Sequence, residues 1–376
     1  TYIGIFIIMF SVISSGMVAV MTQNIGAGRP GVAYQARQLG LAFNAVLGVI
    51  MSLFLSLGAG TILSGVGVAD ALMQPAKTYL QIVGGFCILN ALIPICSSYL
   101  RAFGFSKEPL YASIIGNVIN FCLNAFFLFV LHKGVAGVAT ATVISRIINL
   151  VIVVLLGAVL VKAKQHPERE SNRAVMGQII RIGLPSACET AIYNVSMTLV
   201  IRFLNQMDAQ GLNVTARSYT MQITNFSYCV GAALAQANAI MTGWHIGAKE
   251  YDACDRGTKK AAVIGVIVAV ILETVFTLCS GWIMQLFSKD PQMVSLVGKL
   301  LAIDIVLEIG RVTNLVYGQA LKTSGDAVFP VVMGACFMIL CSVGGTYLFG
   351  IRLGLLAVGA YIGMTGDECV RAVGMY

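Results

Sequence analysis

The chain carries few charged residues for its length. Asp, Glu, Lys and Arg make up 11% of its 376 residues, whereas a soluble domain carries about 25%. Only three histidines are present, and the ten cysteines include no C-x-x-C pair, so no metal site is predicted. The G-x-x-x-x-G-K-[ST] loop of nucleotide-driven proteins is also missing. The sequence therefore predicts no cofactor and points to an ion gradient as the energy source.

Apolar residues are abundant instead, at 58% of the chain, and they occur in runs of about 20, the length that crosses a bilayer. This pattern predicts an all-α integral membrane protein. Eleven hydrophobic segments can be counted, near residues 2–22, 38–63, 78–100, 110–131, 137–161, 183–204, 218–242, 261–287, 294–319, 328–350 and 355–374.

The net charge of +8 comes from short loops between these segments. Alternate loops carry about twice as many Lys and Arg residues as the intervening ones, and the richer set should face the cytoplasm. This set includes the most polar stretch, which begins at Lys162. The basic residues are thus a topology signal, and no nucleic-acid partner is predicted.

An internal repeat is visible at a shift of 221 residues. Ile25-Gly26-Ala27 recurs as Ile246-Gly247-Ala248, and at the same shift Gly104 corresponds to Gly325 and Pro109 to Pro330. The shift spans six segments, an even number, so the copies are parallel repeats. The segment at 183–204 would have its counterpart before residue 1. We therefore expect eleven transmembrane helices, the second to the twelfth of a twelve-helix architecture, in a chain truncated at its N-terminus.

The same segments resemble a known family. Q-N-I-G-A-G-R at 23–29, L-R-A-F-G-F-S-K-E-P at 100–109, R-I-G-L-P-S-A at 181–187 and L-K-T-S-G-D-A-V-F-P at 321–330 are similar to loops of the multidrug and toxic compound extrusion (MATE) family, and G-D-E-C-V-R at 366–371 is similar to its last helix. The resemblance implies two six-helix lobes. Residues 1–162 would form the N-terminal lobe, 163–177 a cytoplasmic linker and 178–376 the C-terminal lobe.

Charged residues inside the hydrophobic segments are the candidates for ion coupling, because intramembrane charges are costly. Asp304, Glu308 and Arg311 have i, i+4, i+7 spacing and share one helix face. Two carboxylates with one arginine leave one acid uncompensated, and such a group can bind Na⁺ or accept a proton, because burial penalises its charged form. The alternative is an ion pair with Arg311 that only orients the helix.

Glu189 follows Pro185 by four residues, on the helix where the resemblance implies a functional carboxylate. It can instead lie near the cytoplasmic interface and be solvated. We expect Glu189, Asp304 and Glu308 to approach one another within the second lobe. Glu273 has no basic partner nearby in sequence and is a weaker candidate.

Four residues are candidates for a cavity that accepts flat cations, although packing is the alternative. They are Tyr193, Met197, Tyr219 and Phe226.

The resemblance implies a monomeric, multi-pass plasma-membrane antiporter that exports small organic compounds, often cationic, in exchange for Na⁺ or H⁺. Flipping of lipid-linked cell-wall or polysaccharide precursors is the alternative, but Arg146 is the only clear buried positive charge that the sequence offers in the first lobe. An intramembrane enzyme is not predicted, because the three histidines lie in or near loops and no catalytic set is visible.

Overall fold

The computed structural model describes residues 2–65, 70–161, 168–208 and 211–376, and within these ranges every regular element is helical. The α-helices are α1 (Tyr2–Gly26), α2 (Pro30–Leu57), α3 (Ala59–Gly65), α4 (Asp70–Tyr79), α5 (Ile88–Ala102), α6 (Lys107–Ala125), α7 (Gly134–Leu160), α8 (Asn172–Met207), α9 (Leu212–Gly247), α10 (Tyr251–Leu278), α11 (Ser280–Met284), α12 (Pro291–Ser324), α13 (Val328–Phe337) and α14 (Leu356–Met375). Leu80–Gly84 is a π-helical stretch before α5, Phe126–Val130 extends α6, and Met338–Val343 and Thr346–Arg352 continue α13. The all-helical prediction is confirmed.

Each of the eleven predicted hydrophobic segments falls on these helices or their π-helical extensions. By length and composition, five described helices can span a membrane on their own: Pro30–Leu57, Lys107–Val130, Gly134–Leu160, Tyr251–Leu278 and Val328–Arg352. A sixth span results when Leu72–Gly84 and Ile88–Ala102, which are bent by 41° relative to each other, are counted as one.

The backbone repeats at the shift that the sequence predicts. Helices α2 and α10 both have 28 residues and begin at Pro30 and Tyr251. The turns before them each contain one residue with positive φ, Gly28 at 72° and Lys249 at 63°. Gly104 and Gly325, also related by the shift, both adopt the left-handed conformation in which glycine is unstrained. At these positions the two copies therefore share helix boundaries and turn geometry as well as sequence, although α12 is continuous where the first copy is divided into α4 and α5.

The described chain separates into two compact units, Thr1–Leu184 and Pro185–Tyr376. Helix α8 crosses this boundary, with Pro185 inside it. It begins at Asn172, within the stretch assigned to the linker, while residues 162–167 of that stretch lie outside the described ranges. The lobe boundaries drawn from the sequence stay a prediction.

In the first unit, α1 packs closely against the start of α8. A Cβ atom on Gly16 would lie 2.0 Å from the carbonyl oxygen of Ile179, and one on Gly183 would lie 1.8 Å from that of Val12. The two backbones are thus in contact, because neither glycine has a side chain. Nearby, the fully buried Asn44 of α2 donates hydrogen bonds to backbone carbonyls of both α1 and α5.

In the second unit, α12 is the central element and packs against α9, α10 and α14. Its contact with α14 is closest at Gly310, where a Cβ atom would lie 2.7 Å from the carbonyl carbon of Glu368. Because these backbones touch, the charged residues of α12 and α14 are held side by side.

Candidate functional site

A cavity of about 480 Å³ lies within the second unit, lined by residues of α8, α9, α12, α14 and the π-helical turn Met338–Val343. Pockets of this size hold drug-sized molecules. Eight lining residues carry a charged side chain, and intramembrane charges mark substrate or ion pathways. They are Glu189, Asp304, Asp367 and Glu368, together with Arg217, Arg311, Lys322 and Arg371.

The charged face of α12 forms as its spacing predicts. Asp304 and Glu308 are both buried, and Arg311 forms an ion pair with Glu308. The Nε atom of Arg311 also lies 3.7 Å from Oε1 of Glu368 on α14. Within the described ranges Asp304 has no ion pair. The orienting salt bridge and the uncompensated acid, which were alternatives at the level of sequence, are therefore both present.

The carboxylate of Glu273, on α10, lies close to those of Asp304 and Glu308. One carboxylate oxygen from each of the three lies within 4.8 Å of the other two. Glu273 is 0% exposed, and neither of its oxygens has a hydrogen-bond partner in the described part of the chain. Three buried carboxylates beside one arginine carry excess negative charge, which is strongly unfavourable without a cation. We call these three residues the carboxylate cluster.

A second network lies on α14. Arg371 bonds to both oxygens of Asp367, at 2.8 and 3.1 Å, and to Glu368 at 2.8 Å. Asn314 of α12 donates to the Glu368 carboxylate at 2.6 Å, and the Ser342 hydroxyl donates to Asp367 at 2.9 Å. Glu368 is thus paired with Arg371, three residues later on the same helix. Each carboxylate of this network has both charged and neutral partners, and Glu368 connects the network to Arg311 of α12.

Glu189 does not join the carboxylate cluster. It lines the same cavity as Asp304, but its carboxylate forms an ion pair with Lys322 near the C-terminal end of α12. Lys322 follows Asp304 by five helical turns, which corresponds to roughly 27 Å along the helix axis. The expected approach of Glu189 to Asp304 and Glu308 is therefore replaced by a local pair with lysine, and a coupling role for Glu189 stays a prediction.

The four predicted cavity residues divide into two pairs. Tyr193 and Met197 of α8 line the cavity. Tyr219 packs against Phe287, with ring centroids 5.4 Å apart, and belongs to the packing around the core of the second unit. Phe226 is 69% exposed and contacts the ring of Phe276. Tyr219 and Phe226 are not among the lining residues.

Two basic residues of the cavity could not be predicted from hydropathy, because their helices extend beyond the hydrophobic segments. The hydrophobic segments near 218–242 and 294–319 leave Arg217 and Lys322 in loops, whereas α9 begins at Leu212 and α12 continues to Ser324. Glu273 is recognisable in the sequence as an intramembrane acid. Its partners Asp304 and Glu308 lie on another helix, so residue spacing along α10 does not predict the cluster.

Helices that can span a membrane, an internal parallel repeat and a charged cavity inside one bundle together define a polytopic membrane transporter. A family model described as MatE matches residues 1–126 and 185–348. The chain belongs to this family, which confirms the resemblance seen in its loops. It is therefore a multi-pass protein of the plasma membrane, and its family consists of transporters, not enzymes.

Individual proteins agree with this assignment. The uncharacterized transporter YisQ of Bacillus subtilis (strain 168) is 32% identical over 380 residues, which cover 100% of this chain and 83% of that protein. A probable multidrug resistance protein of the same organism, YoeA, is 23% identical over 78% of this chain and 65% of its own length. A solved multidrug resistance MATE transporter in an outward-facing conformation has the same fold, with a TM-score of 0.89 at 17% identity, over 99% of this chain and 83% of that one.

Proposed function

We propose that this protein is a secondary active antiporter that exports organic compounds in exchange for Na⁺ or H⁺, and that the carboxylate cluster binds the coupling ion. The observation that carries the proposal is the grouping of Glu273, Asp304 and Glu308 around a single arginine, with four of their oxygens buried and without hydrogen-bond partners in the described structure. Carboxylate oxygens suit both a hard cation and a proton.

The mechanism follows from charge compensation. An empty cluster carries buried negative charge, and among the described residues Arg311 alone forms an ion pair with it. Binding of Na⁺ or H⁺ removes that penalty and stabilises the conformation in which the cluster is closed around the ion. A substrate that favours a different conformation is then coupled to ion release, because each ligand shifts the equilibrium by its differential affinity for the two states.

The substrate is expected to enter the cavity of the second unit, where Tyr193 and Met197 supply aromatic and apolar surface. Organic cations are the expected class, because Asp304 lines the cavity and, unlike Glu189, Asp367 and Glu368, has no ion pair within the described ranges. Since the cavity lies within one chain, we infer that the monomer transports. Membership in a family of multidrug transporters does not favour the alternative function, a flippase for lipid-linked precursors.

The test uses the protein reconstituted in liposomes with an imposed Na⁺ or pH gradient and a fluorescent organic cation. Glu273→Gln, Asp304→Asn and Glu308→Gln each remove one cluster charge and should abolish gradient-driven transport, since a neutral amide neither takes up a proton nor carries the charge that attracts Na⁺. Asp252→Asn, at an exposed position on the same helix as Glu273, is the control and should behave as wild type.

Folding of each variant is checked by a monodisperse elution profile in detergent. The wild-type protein should also gain thermal stability in NaCl relative to choline chloride, or on mild acidification if H⁺ is the ion, and the cluster variants should lose this gain. Gradient-driven transport that persists in all three well-folded cluster variants would show that the coupling ion binds elsewhere.

A further inference from the structure

Arg217 is a buried guanidinium that the coupling mechanism does not use. It lies in the second turn of α9, is 6% exposed and lines the cavity of the second unit. Its Nη2 atom is 3.5 Å from the sulfur of Met197, a weak acceptor, and its buried Nε atom has no hydrogen-bond partner within the described ranges. No carboxylate in the described structure forms an ion pair with it.

The other three basic residues of the cavity are engaged. Lys322 pairs with Glu189, Arg311 pairs with Glu308, and Arg371 contacts both acids of α14. Arg217 therefore stands apart from them in the part of the chain that the structure describes. The guanidinium group of arginine stays protonated in proteins, so Arg217 cannot become neutral. A permanently charged, buried group facing an intramembrane cavity calls for an anionic ligand that enters that cavity.

We propose that Arg217 anchors a carboxylate of the transported compound, so that the preferred substrates are organic molecules that combine a carboxylate with a cationic or aromatic part. The proposal rests on the function proposed above and specifies its substrate class. The planar guanidinium can donate two parallel hydrogen bonds to a carboxylate, the geometry in which arginine surpasses lysine. The Nε and Nη2 atoms form one of the edges that can make such a pair, and within the described ranges this edge has no acceptor stronger than the Met197 sulfur.

The surroundings of Arg217 fit the rest of such a molecule. Tyr193, Met197 and Met221 line the same cavity and offer surfaces to an aromatic ring system. Asp304 and Glu368 lie on the lining as well and supply negative charge for a cationic group. The cavity therefore contains complementary groups for both charges of a zwitterion.

The experiment compares two probes that differ in one group, a cationic xanthene dye with a free carboxylate and its methyl ester. Binding to the purified protein in detergent is followed by fluorescence anisotropy. The wild type should bind the acid more tightly than the ester. Arg217→Met should lower the ratio of acid to ester affinity about tenfold or more, the range expected for loss of a charge-assisted hydrogen bond.

Arg217→Lys keeps the charge but loses the paired geometry, so its ratio of acid to ester affinity should fall between those of the wild type and Arg217→Met. Arg202→Met, at an exposed position of α8, is the matched control and should keep the wild-type ratio. If Arg217→Met does not yield folded protein, the ratio of acid to ester affinity is measured in Arg217→Lys and Arg217→Gln instead. A wild type that does not prefer the acid, or an unchanged ratio in the folded Arg217 variants, would overturn the proposal.

Failure of this inference is distinguishable from failure of the proposed function. Glu308→Gln should abolish gradient-driven transport of both dyes and keep the preference for the acid in binding. Loss of the acid preference in Arg217→Met, together with loss of coupled transport in Glu308→Gln, is the result that supports both proposals. If the wild type transports both dyes in a gradient-dependent way but does not prefer the acid, the proposed coupling site is still supported. Only the proposed role of Arg217 is then refuted.

Discussion

Replacing Gly310 by alanine should push α12 away from α14 at the wall of the cavity. The new Cβ atom would lie 2.7 Å from the carbonyl carbon of Glu368 and 2.9 Å from its oxygen and from the nitrogen of Cys369. These are backbone atoms, so no side-chain rotation relieves the overlap. The helices would have to separate by roughly 0.7 Å to restore ordinary contact, and overpacking of this kind costs about 1–3 kcal/mol.

The separation should also affect the charged groups, because the contact between Arg311 and Glu368 is already 3.7 Å long. We expect Gly310→Ala to lower the midpoint of thermal unfolding in detergent and to reduce gradient-driven transport. Gly257→Ala is the matched control, since a Cβ atom at this helical glycine meets nothing within 4 Å and alanine favours the helix by up to about 1 kcal/mol. Equal midpoints for Gly310→Ala and wild type would refute the account of helix contact at this position.

Two further predictions concern other charged groups of the second unit. Lys322→Met leaves the partly buried Glu189 carboxylate without its cation and should destabilise the protein by about 1–3 kcal/mol. Lys322→Met combined with Glu189→Gln should regain most of the loss in a double-mutant cycle of thermal stabilities. In the loop before α9, desolvation is the largest single influence on Asp208 and raises its pKa, but the hydrogen bonds from Asn213 and the Leu212 backbone together outweigh it and hold the pKa below its ordinary value. Its stabilising contribution is present above the unfolded-state pKa of about 4 and is lost as pH falls through the folded-state value. Asp208→Ala should therefore be less stable than wild type at neutral pH, and melting curves of the two proteins should converge at acidic pH; a constant difference would refute this assignment.

The helices and the repeat could be predicted from sequence because both depend on properties that are local along the chain. Hydropathy over about 20 residues marks a segment whatever it packs against. The repeat survives in turn residues such as Gly104 and Gly325, whose positive φ restricts which residues are tolerated. The bends were not predictable in the same way. Pro75 and Pro94 flank the break between α4 and α5, but hydropathy treats this break as part of one segment.

The candidate site could be predicted only where its residues share one helix. Asp304, Glu308 and Arg311 were recognisable because their spacing places them on one face of α12. Glu273, which lies close to them, belongs to α10, and Glu189 forms its ion pair with Lys322 at the other end of α12. Such partnerships depend on which helices are neighbours, and spacing along one segment carries no information about that.

In the proposed mechanism, a zwitterion interacts with the charged groups of the cavity differently from a simple cation or anion. Its carboxylate binds Arg217, and its cationic group is drawn toward the excess negative charge of the cluster formed by Glu273, Asp304 and Glu308. A coupling ion bound at that cluster repels the cationic group, so each occupant weakens the other, and linkage requires the two effects to be equal. Mutual weakening of this kind is what antiport needs. An anion without a cationic group would instead attract the coupling ion and favour simultaneous binding, so the second charge of the substrate decides whether the two ligands exchange.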